Sequence, residues 1–201
     1  MNKKIIEYLT AVLESDYHKI ESLLNDGLDV NVCCSRGNTA MRNASQDGNI
    51  EMLGYLLSKG ADVNQRIYYH SPVDGRFEDG FTPVFYAHDA TTLKYLVDSG
   101  ADINAICKAG YSALMKCCHY SHNSIIPVIE MHLKCGADVS IRAPWGKQKG
   151  PVSAIDIAVS NKAFYENIYK KSPTKKIDEC IQNAMHIINL LHKAAANRHI
   201  N

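Results

Sequence analysis

Neither sign of charge prevails in this 201-residue chain, where 22 Lys and Arg stand against 21 Asp and Glu for a formal net charge of +1. That balance removes the long-range field that draws a protein toward nucleic acid or acidic membranes. Long apolar runs are also missing. Hydrophobic residues make up 46% of the chain, enough for a continuous core, yet no run approaches the ~20 residues a membrane-spanning helix needs. The opening MNKKIIEYLTAVLESD places two lysines before apolar residues, as a secretion signal does. Glu7 interrupts it, however, and no small-residue cleavage site follows, so it reads as a first helix. The seven cysteines are odd in number and lack the spacing of a disulfide-stapled secreted domain. Reduced thiols in a cytoplasmic compartment are the simpler reading, with export by a machine that reads other signals left open. Catalytic signatures are absent as well: there is no G-x-S-x-G, no H-E-x-x-H, no Walker loop and no dinucleotide fingerprint. The expectation is a non-enzymatic protein with no cofactor.

What the chain does contain is a repeated unit. Gly37 to Asn64 reads GNTAMRNASQDGNIEMLGYLLSKGADVN. Thr39-Ala40-Met41 stands where a tight turn enters a short helix, and Ala44-Ser45 supplies small residues for close helix packing. Gly48-Asn49 breaks the chain, as residues that tolerate positive φ do. Met52, Leu53, Leu56 and Leu57 then recur at helical spacing, and Gly60 stands where a helix-terminating glycine belongs. Its ending, Ala61-Asp62-Val63-Asn64, recurs in Gly27-Leu28-Asp29-Val30-Asn31, Gly100-Ala101-Asp102-Ile103-Asn104 and Gly136-Ala137-Asp138-Val139-Ser140.

Gly27 to Gly60 is 33 residues, and Gly80-Phe81-Thr82-Pro83-Val84-Phe85-Tyr86-Ala87 is a close match to T-P-L-H-x-A. Both the period and that entry motif are those of the ankyrin repeat, which the chain resembles along nearly its whole length. The resemblance implies an all-α solenoid of about five helix-turn-helix repeats with β-turn or hairpin fingers and a long C-terminal capping helix. It divides a single domain into an N-terminal cap repeat (1–34), a second repeat (35–65), a third with a long finger (66–105), a fourth (106–140) and a divergent last repeat with capping helix (141–201).

The register varies along the chain. Between Gly60 and Gly100 the spacing stretches to 40 residues, with ten extra in the turn and three fewer in the helix pair. The extra turn, RIYYHSPVDGRFED, carries Tyr68, Tyr69, His70 and Phe77. These aromatics either pack on the adjacent repeat or anchor a partner. Gly100 to Gly136 is 36 residues, with the three extras in His119 to Ser124. In the last repeat Ser153-Ala154-Ile155-Asp156-Ile157-Ala158 matches the entry motif, with Asp156 in the place of a residue that hydrogen-bonds the turn. A first helix there runs on toward Tyr165 or Tyr169. A basic link, Lys170 to Lys176, leads to a final helix whose apolar stripe is Ile177, Cys180, Ile181, Ala184, Met185, Ile188 and Leu191.

Ankyrin repeats bind proteins, so the resemblance implies a protein partner gripped by the concave face and fingers. Carried over position by position, the family's variable surface falls on Ser35, Arg36, Asn38, Gln46 and Asp47 in the second repeat. In the third it falls on Phe81, His88 and Asp89, beside the finger residues Tyr68, Tyr69, His70 and Phe77. The fourth contributes Lys108, Tyr111, His119 and Tyr120, and the fifth Trp145, Val152, Ser160 and Asn161. Tyr, Trp, Phe and Arg are the types that anchor interface hot spots. The expected mode of action is stoichiometric inhibition of one partner, as an immunity-type protein does, by a chain that is monomeric alone. An adaptor or exported effector acting on another cell's protein is the alternative, and a metal- or thiol-responsive switch a third reading.

Other groupings carry less. Cys117-Cys118-His119-Tyr120-Ser121-His122 offers thiolate and imidazole, but its spacing is not that of a zinc finger and the two cysteines replace packed alanines. No metal site is expected. Cys33-Cys34 lies in a turn with only Arg36 nearby to lower a thiol pKa. The lysines of 170–176, with Lys147 and Lys149, read as a solvated link that would meet an acidic protein patch sooner than nucleic acid. No membrane partner is expected.

Overall fold

A computed structural model describes residues 3–68, 80–120, 122–144 and 150–198. The chain divides into two compact units, 1–108 and 109–201. Among the described residues every extended element is a helix or a helical turn; β structure is limited to two isolated antiparallel bridges.

The first unit holds α1 (Lys3–Glu14), α2 (Tyr17–Asn25), α3 (Ala40–Asp47), α4 (Ile50–Ser58), a 3-10 turn at Pro83–Phe85, and α5 (Ala90–Asp98). Side-chain caps start four of these helices. Asp16, Thr39, Asn49 and Asp89 each accept the backbone N–H three residues on, satisfying a donor that the helix cannot pair internally. The second helix of each repeat ends on a glycine in the left-handed region, with φ of 83° at Gly27, 87° at Gly60 and 94° at Gly100. The glycine N–H and the one after it fold back onto carbonyls of the last turn, as Gly60 does to Leu57 at 3.0 Å and Ala61 to Leu56 at 3.0 Å. The apolar stripes then meet in a core of Tyr8, Leu9, Val12, Ile20, Met41, Met52, Leu53, Leu56, Leu93 and Leu96, all buried.

The third repeat departs most from its neighbours. Its entry sequence builds a single 3-10 turn, Pro83–Phe85, in place of a first helix. The three missing residues explain this: Asp89 already caps α5, accepting from Thr92 N at 2.8 Å and Thr92 Oγ1 at 2.6 Å, so the chain has no room to wind another α-turn. Ahead of it, Ile67 and Phe81 close the base of the finger through Ile67 N–H to Phe81 O at 2.9 Å and Gly80 N–H to Ile67 O at 2.7 Å.

The second unit holds α6 (Ala113–Cys117), a 3-10 turn at Asn123–Ile125, α7 (Ile126–Lys134), α8 (Ala154–Lys171) and α9 (Lys175–Arg198). Ser153 and Asp156 form a reciprocal capping box at the start of α8, and Arg142 pairs with Asp156 at 3.1 Å. Asp156 thus has the turn-bonding role its position implies. Helix α8 is as long as expected, but the basic link is not. Lys170 and Lys171 belong to the last turn of α8, and Lys175 and Lys176 to the first of α9, leaving only Ser172 to Thr174 between helices. The stripe on α9 also needs correction. Met185 is exposed, and the buried line is Ile181, Ala184, Ile187 and Leu191, which keeps one helical face toward α8 and α7.

Candidate partner-binding surface

In the first unit, two neighbouring turns present apolar side chains to solvent. Tyr68, at the foot of the long finger, is 66% exposed, and Ile106, in the turn after α5, is 44% exposed. Arg66 fixes the geometry between them, donating from Nη1 to Gly80 O at 3.0 Å and to Ile106 O at 2.8 Å. One guanidinium therefore ties the finger to the next turn. An open cleft of about 450 Å³ results, lined by Arg66, Tyr68, Gly80, Ile106, Cys107 and Lys108. An aromatic ring and an aliphatic side chain with two cationic heads around them form an amphipathic recess of the kind that receives a partner's side chain.

The other expected contact residues of this unit fall into three groups. Arg36, Gln46, Asp47, His88 and Lys108 are exposed, and Asn38 is half-buried with its carbonyl accepting from Cys34 N at 3.0 Å. Asp89 is exposed too, but its carboxylate is committed to capping α5. Phe81 is a correction. It is 4% exposed and stacks on Phe85 with ring centroids 4.4 Å apart. Side chains alternate along an extended segment, and at the finger base that alternation turns Ile67 and Phe81 inward while Tyr68 faces out. Tyr69, His70 and Phe77 lie outside the described residues.

In the second unit, His119 and Tyr120 are exposed and Tyr111 is half-buried. The Tyr120 ring has the His119 ring on one contact and the His122 ring on another, each at 5.7 Å between centroids. His122 Nδ1 is 2.8 Å from Ser124 Oγ. Ser160 is exposed, while Asn161 is half-buried and spends its Nδ2 on Cys118 O at 3.0 Å. Val152 is a second correction: it is buried and pairs with Ala143 across a bridge. Trp145 lies outside the described residues.

The thiols and imidazoles are placed for packing. Cys117 and Cys118 are buried where alanines were expected, and burial raises the Cys117 thiol to about 12 and Cys118 well above its ordinary value. Cys33 is exposed and Cys34 buried. No three His, Cys, Asp or Glu side chains converge as a metal site among the described residues. Sequence reading missed His132, which is fully buried in α7. Desolvation pulls it down to about 4, its Nδ1 lies 2.9 Å from Val128 O, and its Nε2 meets no partner among the described residues. It missed Arg66 and Ile106 as well. Ile106 could have been flagged by its place beside Lys108 in a turn, outside either helical stripe.

Comparison with known proteins agrees with this architecture. The family model for ankyrin repeats (many copies) matches residues 8–57, the first two repeats. The putative ankyrin repeat protein YahD of Escherichia coli strain K12 is 25% identical over 139 residues, which cover 69% of this chain and 66% of that relative. Capped helix pairs, glycine-closed turns and this match define a repeat protein of the helix-turn-helix class. In its first two repeats and in this relative, the chain is similar to ankyrin-repeat proteins.

Proposed function

We propose that this protein is a non-catalytic module that binds one protein partner through the finger surface of its first unit and acts by stoichiometric occupation, as an inhibitor or immunity-type protein. The observation that carries the reading is the exposed Tyr68 and Ile106 pair, held at fixed spacing by the Arg66 clamp. Large apolar side chains kept in water by a rigid scaffold have no stabilising role in the free protein, and Tyr is a frequent interface anchor. The protein works in the cytoplasm as a monomer before its partner arrives, with neither cofactor nor nucleic acid. No helix among the described residues is long and apolar enough to cross a membrane.

Affinity capture from the native cell tests this, comparing the wild-type chain with Tyr68→Ala/Ile106→Ala. The expected result is one partner in equimolar amount, lost with the double variant at unchanged thermal stability. Retention of that partner by the variant overturns the site. Inhibition is read separately, as loss of the partner's own activity on adding one equivalent.

An adaptor role is the second reading, favoured by one observation. The second unit presents its own exposed aromatic group, Tyr120 between His119 and His122. Two partners recovered together, one lost with Tyr68→Ala/Ile106→Ala and the other with Tyr120→Ala, would establish it.

A further inference from the structure

Among the described residues, the hairpin of α8 and α9 is unlike any other helix pair. Its helices have 18 and 24 residues, against nine or fewer in α2 to α7. Only its inner half is packed. Ala154, Ile157 and Ala158 at the start of α8, and Ile181, Ala184, Ile187 and Leu191 along α9, are buried, but no residue from 159 to 180 is. Past Asn161, whose Nδ2 donates to Cys118 O at 3.0 Å, the arm runs on to its tip without a buried residue.

The end of this arm reads Tyr169-Lys170-Lys171-Ser172-Pro173-Thr174-Lys175-Lys176. Four lysines in seven residues, with no acid among them, are hidden in the whole-chain total of +1. All four are exposed, and none takes part in an ion pair among the described residues. Lys170 and Lys171 suit the last turn of a helix, whose carbonyl end favours cations. Lys175 and Lys176 do not suit their place. They occupy the first turn of α9, where the helix dipole opposes positive charge, and the one acid in that turn is Asp178. Helix stability does not account for them.

We propose that the tip of the α8–α9 arm docks reversibly on an anionic lipid surface. The chemistry of the tip selects this partner over the alternatives. A hairpin end offers a small convex surface without a groove, far from the ~800 Å² per side of a stable protein interface. Its cations are all lysine, a type depleted from protein interfaces, and it has no arginine fork for bidentate grip of nucleic-acid phosphates. Lysine clusters of this size are drawn to acidic headgroups through point charge alone. Tyr169 stands next to the lysines and is partly exposed, the residue type that settles at the headgroup level. Phe164, 58% exposed, sits one and a half to two turns further up the same helix, ~10 Å from Lys171. It reaches the bilayer only when the arm tilts, so binding is led by charge.

The proposal stands apart from the finger surface and is tested on the full chain with vesicles. Co-sedimentation is measured with pure phosphatidylcholine vesicles and with vesicles containing about 30% phosphatidylserine, at about 0.05 M and about 0.3 M salt. Binding is expected to the anionic vesicles only, and to fall steeply with salt. Each lysine removed should lower the partition coefficient about fivefold, so Lys170→Gln/Lys171→Gln/Lys175→Gln/Lys176→Gln should abolish detectable binding. A control that removes the same charge elsewhere, Lys3→Gln/Lys19→Gln/Lys94→Gln/Lys134→Gln, should still bind the anionic vesicles and show that location matters. Circular dichroism confirms that both variants fold. Absence of binding to anionic vesicles overturns the proposal, as does equal loss with the control variant. Tighter binding to a duplex DNA of about 20 base pairs than to vesicles, lost with the tip variant, overturns it in favour of nucleic acid.

Discussion

Asn64 holds the following repeat by two backbone atoms at once. Its Oδ1 accepts from Asp102 N at 2.8 Å and its Nδ2 donates to Gly100 O at 3.0 Å. Asn31 does the same one repeat earlier, accepting from Asp62 N at 2.8 Å and donating to Gly60 O at 3.4 Å. Each aspartate in turn accepts the N–H two residues on, from Asn31 to Asp29 at 2.9 Å and from Asn64 to Asp62 at 2.8 Å. The recurring Asp-Val-Asn is therefore a turn and an inter-repeat tether in one motif.

This tether sets the first prediction. Asn64→Ala removes both bonds and should cost about 1–2 kcal/mol, since each net hydrogen bond contributes about 1 kcal/mol. Asn64→Asp keeps the acceptor for Asp102 N but loses the donor to Gly100 O, so it should cost more than nothing and less than the alanine change. Urea midpoints at constant slope measure both. If Asn64→Ala unfolds with the wild type, the contact carries no stability.

His132 makes acid stability a readout of burial. Its folded pKa is depressed from the ordinary 6.5 to about 4, chiefly because burial disfavours the imidazolium. Below 6.5 the unfolded chain takes up a proton that the folded chain refuses, so stability falls as pH drops and levels off near the folded value. The full window is worth about 3 kcal/mol. Asp156 has a lowered carboxyl, held first by its Ser153 backbone bond, and it adds a loss of the same sign only at more acidic pH, below its ordinary 3.8. His132→Leu should flatten the curve between pH 6.5 and 4 while leaving the lower limb intact. A variant with the wild-type slope in that window would assign the acid sensitivity elsewhere.

How far the sequence could be read depended on whether a feature was local. The small pair Ala44-Ser45 and the turn-bonding Asp156 are set by neighbours a few residues away, and the structure has them in place. Phe81 could not be read correctly from its motif, because its direction follows from pairing with Ile67 across the finger. The 3-10 turn at Pro83 is a similar case: the three-residue deficit was visible, but the element that would absorb it was not. Met185 and Ile187 differ by a rotation of the α9 stripe that only the angle of packing against α8 and α7 decides. Arg66 was missed because its bonds to Gly80 and Ile106 lie 14 and 40 residues away in sequence.

Thiol reactivity should sort the seven cysteines by exposure. Cys33 is exposed, Cys135 and Cys180 are half-buried, and Cys34, Cys107, Cys117 and Cys118 are buried. The thiolate is the reacting form, and burial raises the Cys117 and Cys118 thiols, so access and ionisation act together there. With an aromatic disulfide reagent at pH 8, one fast thiol is expected, removed by Cys33→Ser. The four buried thiols should react only at the rate of opening and become equivalent to the rest in denaturant. Fast reaction of Cys118 in the native protein would contradict the packed position given to it.

Neighbouring aromatic positions at the finger base should separate folding from binding. Phe81→Ala removes a buried ring stacked on Phe85 and should destabilise by about 3–5 kcal/mol, the usual cost of emptying an aromatic site. Tyr68→Ala removes a ring that is mostly in water and should change stability by no more than about 0.5 kcal/mol. Against a captured partner the order should reverse once stability is allowed for, with Tyr68→Ala weakening affinity about 30-fold or more if it is a hot spot worth about 2 kcal/mol. Phe81→Tyr keeps the ring and should restore most of the stability, since the loss comes from volume and stacking. Equal stability effects from Phe81→Ala and Tyr68→Ala would mean that the alternation across the Ile67–Phe81 bridge is not what turns one ring inward and the other out.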